Sequence, residues 1–250
     1  MFNSDLYTTT GTDRLAYSAW CTIPSTYTTT IMAHSGCDAV TIDMQHALID
    51  EATAMAQISA ILHTNATPLI RIAYNDSYHI MRALDFGAAG IISPMIETVE
   101  QAQTFTQACY YPPKGKRSYG PYGPMLHNIA NYASKANENI LPFAMIETAQ
   151  AFNCIEKIAA VSGLRGLFVG PKDLTLSLTG QGTIIYDDDF KKILETIVSV
   201  THDNGLLACS HVPDIGQQAF FTEIGFDVLF LGDDTKILKE GAHKLFANQA

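Results

Sequence analysis

The chain has 250 residues, 47% hydrophobic and 16% charged, which excludes a disordered or solvating protein. Asp plus Glu outnumber Lys plus Arg by 25 to 15, a formal charge of −10, so nucleic acid and anionic lipid are poor partners. No apolar run reaches the roughly 18 residues of a membrane span, and residues 1–12 carry no basic n-region or apolar h-region. The expectation is a cytoplasmic protein. The length suits one α/β barrel domain over 1–250. Five cysteines (Cys21, Cys37, Cys109, Cys154, Cys209) stand singly with no C-x-x-C, as small buried hydrophobes in a reducing compartment do.

Strand-length apolar runs alternate with helical periods from end to end. Strands are predicted over 15–22, 39–43, 68–71, 90–93, 141–147, 166–170, 206–209 and 227–231. Helices are predicted over 28–35, from the Asp50 cap to 63, over 78–86, from the Thr98 capping box to 110, and over 129–137. Further helices start at the Thr148 cap and span 189–204, 214–223 and a final stretch carrying Leu238, Ala242 and Leu245. A loop rich in Pro, Gly and Tyr covers 111–127. The strands are mostly continuous apolar runs, as in a parallel sheet buried on both faces. Eight such units predict an α/β (β/α)₈ TIM barrel in a single domain. The doubly wound open sheet is disfavoured, because no G-x-G-x-x-G follows an early strand.

In a barrel, chemistry gathers where strands end. The predicted strand exits carry Asp43 and His46, Arg71, Ser93, Glu147, Lys172 and Asp173, and Ser210 with His211. Glu147 and Asp173 sit on adjacent exits. Two carboxylates brought together raise each other's pKa, and a hard divalent ion such as Mg²⁺ relieves that. The alternative is that Glu147 pairs with an arginine and Asp173 caps a turn. Arg71 is the only arginine at a strand exit and suits an anionic ligand or an oxyanion.

The strings TIDMQHALID (41–50), PLIR (68–71), LDFGAAGIISPMIET (84–98), YYPPKGKRSYGP (110–121), FAMIETAQA (143–151) and LFVGPKDLTLSL (167–178) resemble the class II, metal-dependent pyruvate aldolases of the 4-hydroxy-2-oxoheptanedioate aldolase type. The similarity runs from about 15 to 240. It implies a barrel enzyme that reversibly cleaves 4-hydroxy-2-oxo acids to pyruvate and an aldehyde, with oxaloacetate decarboxylation as a side activity. It further implies a divalent metal (Mg²⁺, Mn²⁺ or Co²⁺) and a homohexamer whose last helix, about 235–248, is exchanged between subunits. Carried over by motif, Glu147 and Asp173 are the metal ligands, His46 is the base and Asp85 is the carboxylate that pairs with His46. Arg71 stabilises the enolate, the Lys172 backbone binds the substrate carboxylate, and Met145 and Ser93 complete the substrate site. The chain departs from the family at Gln45, usually acidic, at Met145, commonly glutamine, and at Lys172, usually small or neutral.

Three rivals stand beside this reading. A class I aldolase would use a Schiff-base lysine, for which Lys172 is the one placed residue, although it lies past Pro171 rather than in a strand. An acyl-CoA lyase of the same superfamily would need more positive charge than this acidic chain offers. A non-catalytic oxo-acid-binding barrel would not need the whole set His46, Asp85, Arg71, Glu147 and Asp173.

Overall fold

The eight predicted strands are all present and all parallel. They are β1 (Ala16–Cys21), β2 (Ala39–Asp43), β3 (Thr67–Arg71), β4 (Gly90–Ser93), β5 (Leu141–Ile146), β6 (Gly166–Val169), β7 (Leu207–His211) and β8 (Val228–Asp233). They pair in chain order and β8 closes onto β1, forming a (β/α)₈ barrel. The structure, a computed structural model, describes Leu6 and residues 14–247.

The barrel interior is a packed core rather than a pore. Leu6, Leu69, Ile92, Phe143, Phe168 and Phe230 fill it, all at most 1% exposed. Two glycines make that filling possible. A Cβ at Gly90 would meet Leu69 Cδ2 at 2.6 Å, and one at Gly166 would meet Phe143 Cδ1 at 2.7 Å. A second apolar layer lies between strands and helices, from Ile42 and Ile58 to Leu194 and Ile197.

The helices are α1 (Thr26–Ala33), α2 (Glu51–Ile61), α3 (Ser77–Phe86), α4 (Val99–Cys109), α5 (Tyr122–Leu126) and α6 (Tyr132–Asn139). They continue with α7 (Ala149–Asn153), α8 (Ile155–Ala159), α9 (Pro171–Thr179), α10 (Asp188–Asp203), α11 (Gln218–Ile224) and α12 (Asp234–Phe246). Side chains of Asp50, Thr98 and Thr148 accept N-terminal amides of the helices they precede, so these caps act where the sequence puts them, and Asp76 caps α3 in the same way.

Four local differences have physical causes. The helix after Thr148 breaks at Cys154, whose backbone leaves the helical region at φ −123 and ψ 21. The segment predicted over 129–137 starts later, after Asn131 turns left-handed at φ 58. The segment from 214 opens as a 3₁₀ turn, Ile215–Gln217, before α11. Helix α9 was not predicted, although Pro171 at its first turn and Gly180 at φ 73 beyond its end are both helix signals.

Helix α12 buries only Asp234, whose carboxylate accepts the amides of Thr22 and Ile23. Ile237, Leu238, Leu245 and Phe246 are each at least half exposed. No helix of the described residues is long and apolar enough to cross a membrane.

Candidate active site

A cavity of about 370 Å³ opens at the C-terminal end of the barrel. Its walls follow the strand order: Trp20 and Thr22 from β1 and its exit, Asp43 and His46 from β2 and its exit, Arg71 from β3, and Met145 from β5. Phe168, Gly170, Lys172 and Asp173 come from β6 and its exit, His211 from β7 and Asp233 from β8. Parallel strands place every exit at one end, so residues far apart in the chain meet there.

Asp43 and Arg71 are register partners on β2 and β3. Arg71 donates from Nε to Asp43 Oδ1 at 2.9 Å and from Nη2 to Asp43 Oδ2 at 2.6 Å. Asp43 Oδ1 also accepts the amides of Gln45 and His46, so it shapes the loop that carries His46. Burial pushes the Asp43 carboxyl up, but Arg71 and these amides outweigh it and hold it below the usual range. The Arg71 guanidinium lies 4.8 Å over the Trp20 ring. Asp43, a strand-exit carboxylate, is therefore an ion-pair partner and not a helix cap. Arg71 Nη1 has no protein partner among the described residues and is free to donate to a ligand.

Glu147 stands just behind the cavity wall, 2% exposed. Its Oε1 accepts the amide of Met95 at 2.7 Å, and Met95 takes φ 55 to present it. A Cβ at Gly170 would sit 3.0 Å from Glu147 Oε2, so glycine keeps space at that oxygen. Burial, and then Asp173 nearby, push the Glu147 carboxyl above its usual range despite the Met95 amide. Among the described residues no lysine or arginine forms a salt bridge with Glu147 or Asp173. The alternative of a Glu147–arginine pair is thus absent. Asp173 lies exposed in the first turn of α9 and does not cap it, since Gly170 holds that position.

A buried carboxylate beside a second one, without a protein cation, fits a divalent ion that takes its remaining ligands from water and substrate. The two carboxylates do not form a closed cage. Among the described residues no group of three or more His, Cys, Asp or Glu is arranged to hold a metal.

Two predicted residues lie elsewhere. Ser93 is fully buried, its hydroxyl has no hydrogen-bond partner among the described residues, and it does not line the cavity. Asp85 is at the far end of α3, which runs from the β3 exit back toward the N-terminal end of the barrel. There its Oδ1 accepts from Arg117 Nη2 at 2.8 Å, and Arg117 Nη1 donates to Tyr132 Oη at 3.1 Å. Within one chain Asp85 and His46 are at opposite ends of the barrel and do not pair, because a βα unit sends its helix back along the strand.

No motif in the sequence marks Trp20, Thr22 or Asp233 as site residues, and His211 is marked only as a strand exit. The signal was available: closure makes the ends of β1 and β8 neighbours of the other exits.

A sequence profile described as HpcH/HpaI aldolase/citrate lyase matches residues 17–240. The chain belongs to this family. The HpcH/HpaI chain is 35% identical over 239 residues to the hydroxypyruvate/pyruvate aldolase of Rhizorhabdus wittichii, covering 94% of each. It superposes on an HpcH/HpaI aldolase/citrate lyase family protein from Burkholderia cenocepacia with a TM-score of 0.90, at 26% identity and 98% of each chain. It superposes on the citrate synthase SbnG with a TM-score of 0.84, at 28% identity, covering 99% of this chain and 96% of the other. This HpcH/HpaI protein is an enzyme, a carbon–carbon lyase of the class II pyruvate aldolase group.

Proposed function

We propose that the protein is a divalent-metal-dependent aldolase that reversibly cleaves 4-hydroxy-2-oxo acids to pyruvate and an aldehyde, and that it also decarboxylates oxaloacetate. The observation that carries this is the buried Glu147 carboxylate, without a protein cation, beside Asp173 and close to a cavity shared by Arg71 and His46. Glu147 and Asp173 would hold Mg²⁺, Mn²⁺ or Co²⁺, and such an ion supplies Lewis acidity toward a 2-oxo acid.

The chain's own residues do the rest. The backbone at Lys172 binds the substrate carboxylate, and Met145 forms an apolar part of the wall where the pyruvyl unit sits. His46 accepts the proton of the 4-hydroxyl group, imidazole being the side chain that most often serves as a general base. The C3–C4 bond then breaks, its electron pair passes to the enolate, and the aldehyde leaves. Arg71, fixed by Asp43, donates to the oxygen on which the enolate charge develops. Protonation at C3 completes pyruvate. The neighbouring Gln45, without a charge, leaves His46 dependent on a more distant carboxylate.

For Asp85 to orient His46, a second copy of the chain must bring its N-terminal barrel end to this mouth. The exposed Tyr119, Tyr122, Met125 and Leu126, in the loop and helix that follow Arg117, offer a contact surface there. Exchange of α12 between copies, in a hexamer, would cover the apolar side chains it leaves in solvent. The deciding experiment is a pyruvate-forming assay over a panel of 4-hydroxy-2-oxo acids, with defined metals and with EDTA. Turnover that persists after chelation, or borohydride trapping of pyruvate on Lys172, would overturn the metal reading.

A further inference from the structure

The aldolase reading accounts for two parts of the cavity. His46 and Arg71 occupy the β2–β3 side, and Asp173, with Glu147 behind the wall, the β5–β6 side. The pyruvyl unit lies between them. The rest of the substrate must face the remaining arc, β7, β8 and β1, which presents His211, Asp233, Thr22 and Trp20.

Two polar groups on this arc have protein partners. The Thr22 hydroxyl bonds Asp234 at 2.9 Å and Thr235 at 2.7 Å. Asp233 Oδ1 accepts the Lys236 amide at 2.9 Å. His211 differs. Its ring is held edge-on to Trp20, centroids 5.3 Å apart, and its nitrogens have no hydrogen-bond partner among the described residues. The ring is partly exposed on the cavity wall, so these nitrogens are open to a ligand there.

The charge state narrows the ligand. Burial, then Arg71 and Lys172, pull the imidazole down to about 4, so His211 is neutral near pH 7. A neutral imidazole offers one donor and one acceptor, which suits a hydroxyl group and gives a carboxylate no charge to pair with.

We propose that His211 is the residue that selects the aldehyde, hydrogen-bonding a hydroxyl on the carbon next to the carbonyl, so that the preferred aldehyde partner is an α-hydroxyaldehyde. This rests on the aldolase reading. A site built to bond a hydroxyl rejects the analogue that lacks it far better than an apolar wall discriminates between the two.

The test compares kcat/KM for condensation of pyruvate with glycolaldehyde and with acetaldehyde, using the full chain and Mn²⁺. The glycolaldehyde-to-acetaldehyde ratio should fall at least about tenfold in His211→Leu, which keeps bulk and removes both nitrogens. His211→Gln, with an amide donor and acceptor, should recover part of the ratio. If His211→Leu does not fold, His211→Phe takes its place. A ratio that stays within about threefold of wild type overturns the proposal while leaving the aldolase reading intact. A wild-type preference for an anionic aldehyde such as glyoxylate also overturns it and moves the selection to Lys172. Absence of carbon–carbon bond formation with every aldehyde overturns the aldolase reading itself.

Discussion

Arg71 and Asp43 face each other across adjacent strands, joined by two hydrogen bonds of 2.9 and 2.6 Å, with the Trp20 ring against the guanidinium. This pair fixes one prong of Arg71 and leaves Nη1 for a ligand. Arg71→Ala leaves the Asp43 carboxylate buried and uncompensated, so it should cost about 3–5 kcal/mol of stability by denaturant unfolding. Exchange of the pyruvate methyl protons with solvent, measured where the variant is folded, should fall about 10²–10³-fold. Arg71→Lys should recover only part of the rate, because lysine restores charge without the planar fork. Wild-type exchange in Arg71→Ala would reduce Arg71 to a structural partner of Asp43.

Metal binding is expected to be visible in stability as well as in activity. Mn²⁺ at about 100 times its dissociation constant should stabilise the wild type by about 2.7 kcal/mol. For a chain of this size that corresponds to a rise in Tm of about 5–10 °C. Glu147→Gln and Asp173→Asn should each remove the rise while keeping the barrel's circular dichroism. An undiminished Mn²⁺ shift in both variants would place the ion elsewhere.

His46→Ala should lower cleavage of 4-hydroxy-2-oxo acids by about 10²–10⁴-fold, the usual contribution of a positioned base. Oxaloacetate decarboxylation requires no hydroxyl deprotonation, so it should fall much less. Equal losses in the two reactions would contradict the assignment of His46.

The partly buried imidazole of His211 should leave a mark on the pH dependence of folding. Its folded pKa, about 4, lies below that of an unfolded histidine, about 6.5. Between these values the unfolded chain binds the proton and the folded chain does not, so stability falls as pH is lowered through this window. Lowering pH from 7 to 4.5 should therefore shift the Tm difference between His211→Leu and wild type in favour of the variant. A difference that is constant with pH would mean that the imidazole is not held neutral.

Helix α12 stands almost entirely in solvent, attached through Asp234 to Thr22 and Ile23. Light scattering at micromolar concentration should give an oligomer for the full chain. Truncation after Asp234 should dissociate it and remove the concentration dependence of Tm that the intact oligomer shows. A monomeric mass for the intact protein, with stability unchanged by truncation, would remove the exchange proposal.

The barrel was legible in the chain because its signals are local. Continuous apolar runs mark strands buried on both faces, and Asp50, Thr98 and Thr148 mark helix starts within four residues of the groups they bond. The strand exits also pointed to His46, Arg71, Lys172 and Asp173, all of which reach one cavity. Tertiary structure alone decided the rest. Strand tilt and closure turned Ser93 away from the cavity and brought Trp20, Thr22 and Asp233 around to meet His211. The return of α3 along the barrel carried Asp85 away from His46 and gave it to Arg117. Which polar groups are committed and which remain open depends on contacts between distant segments: Asp43 is taken by Arg71, while the nitrogens of His211 have no hydrogen-bond partner among the described residues. Sequence spacing encodes the direction of a side chain relative to its own element, and only closure of the sheet determines what stands opposite it.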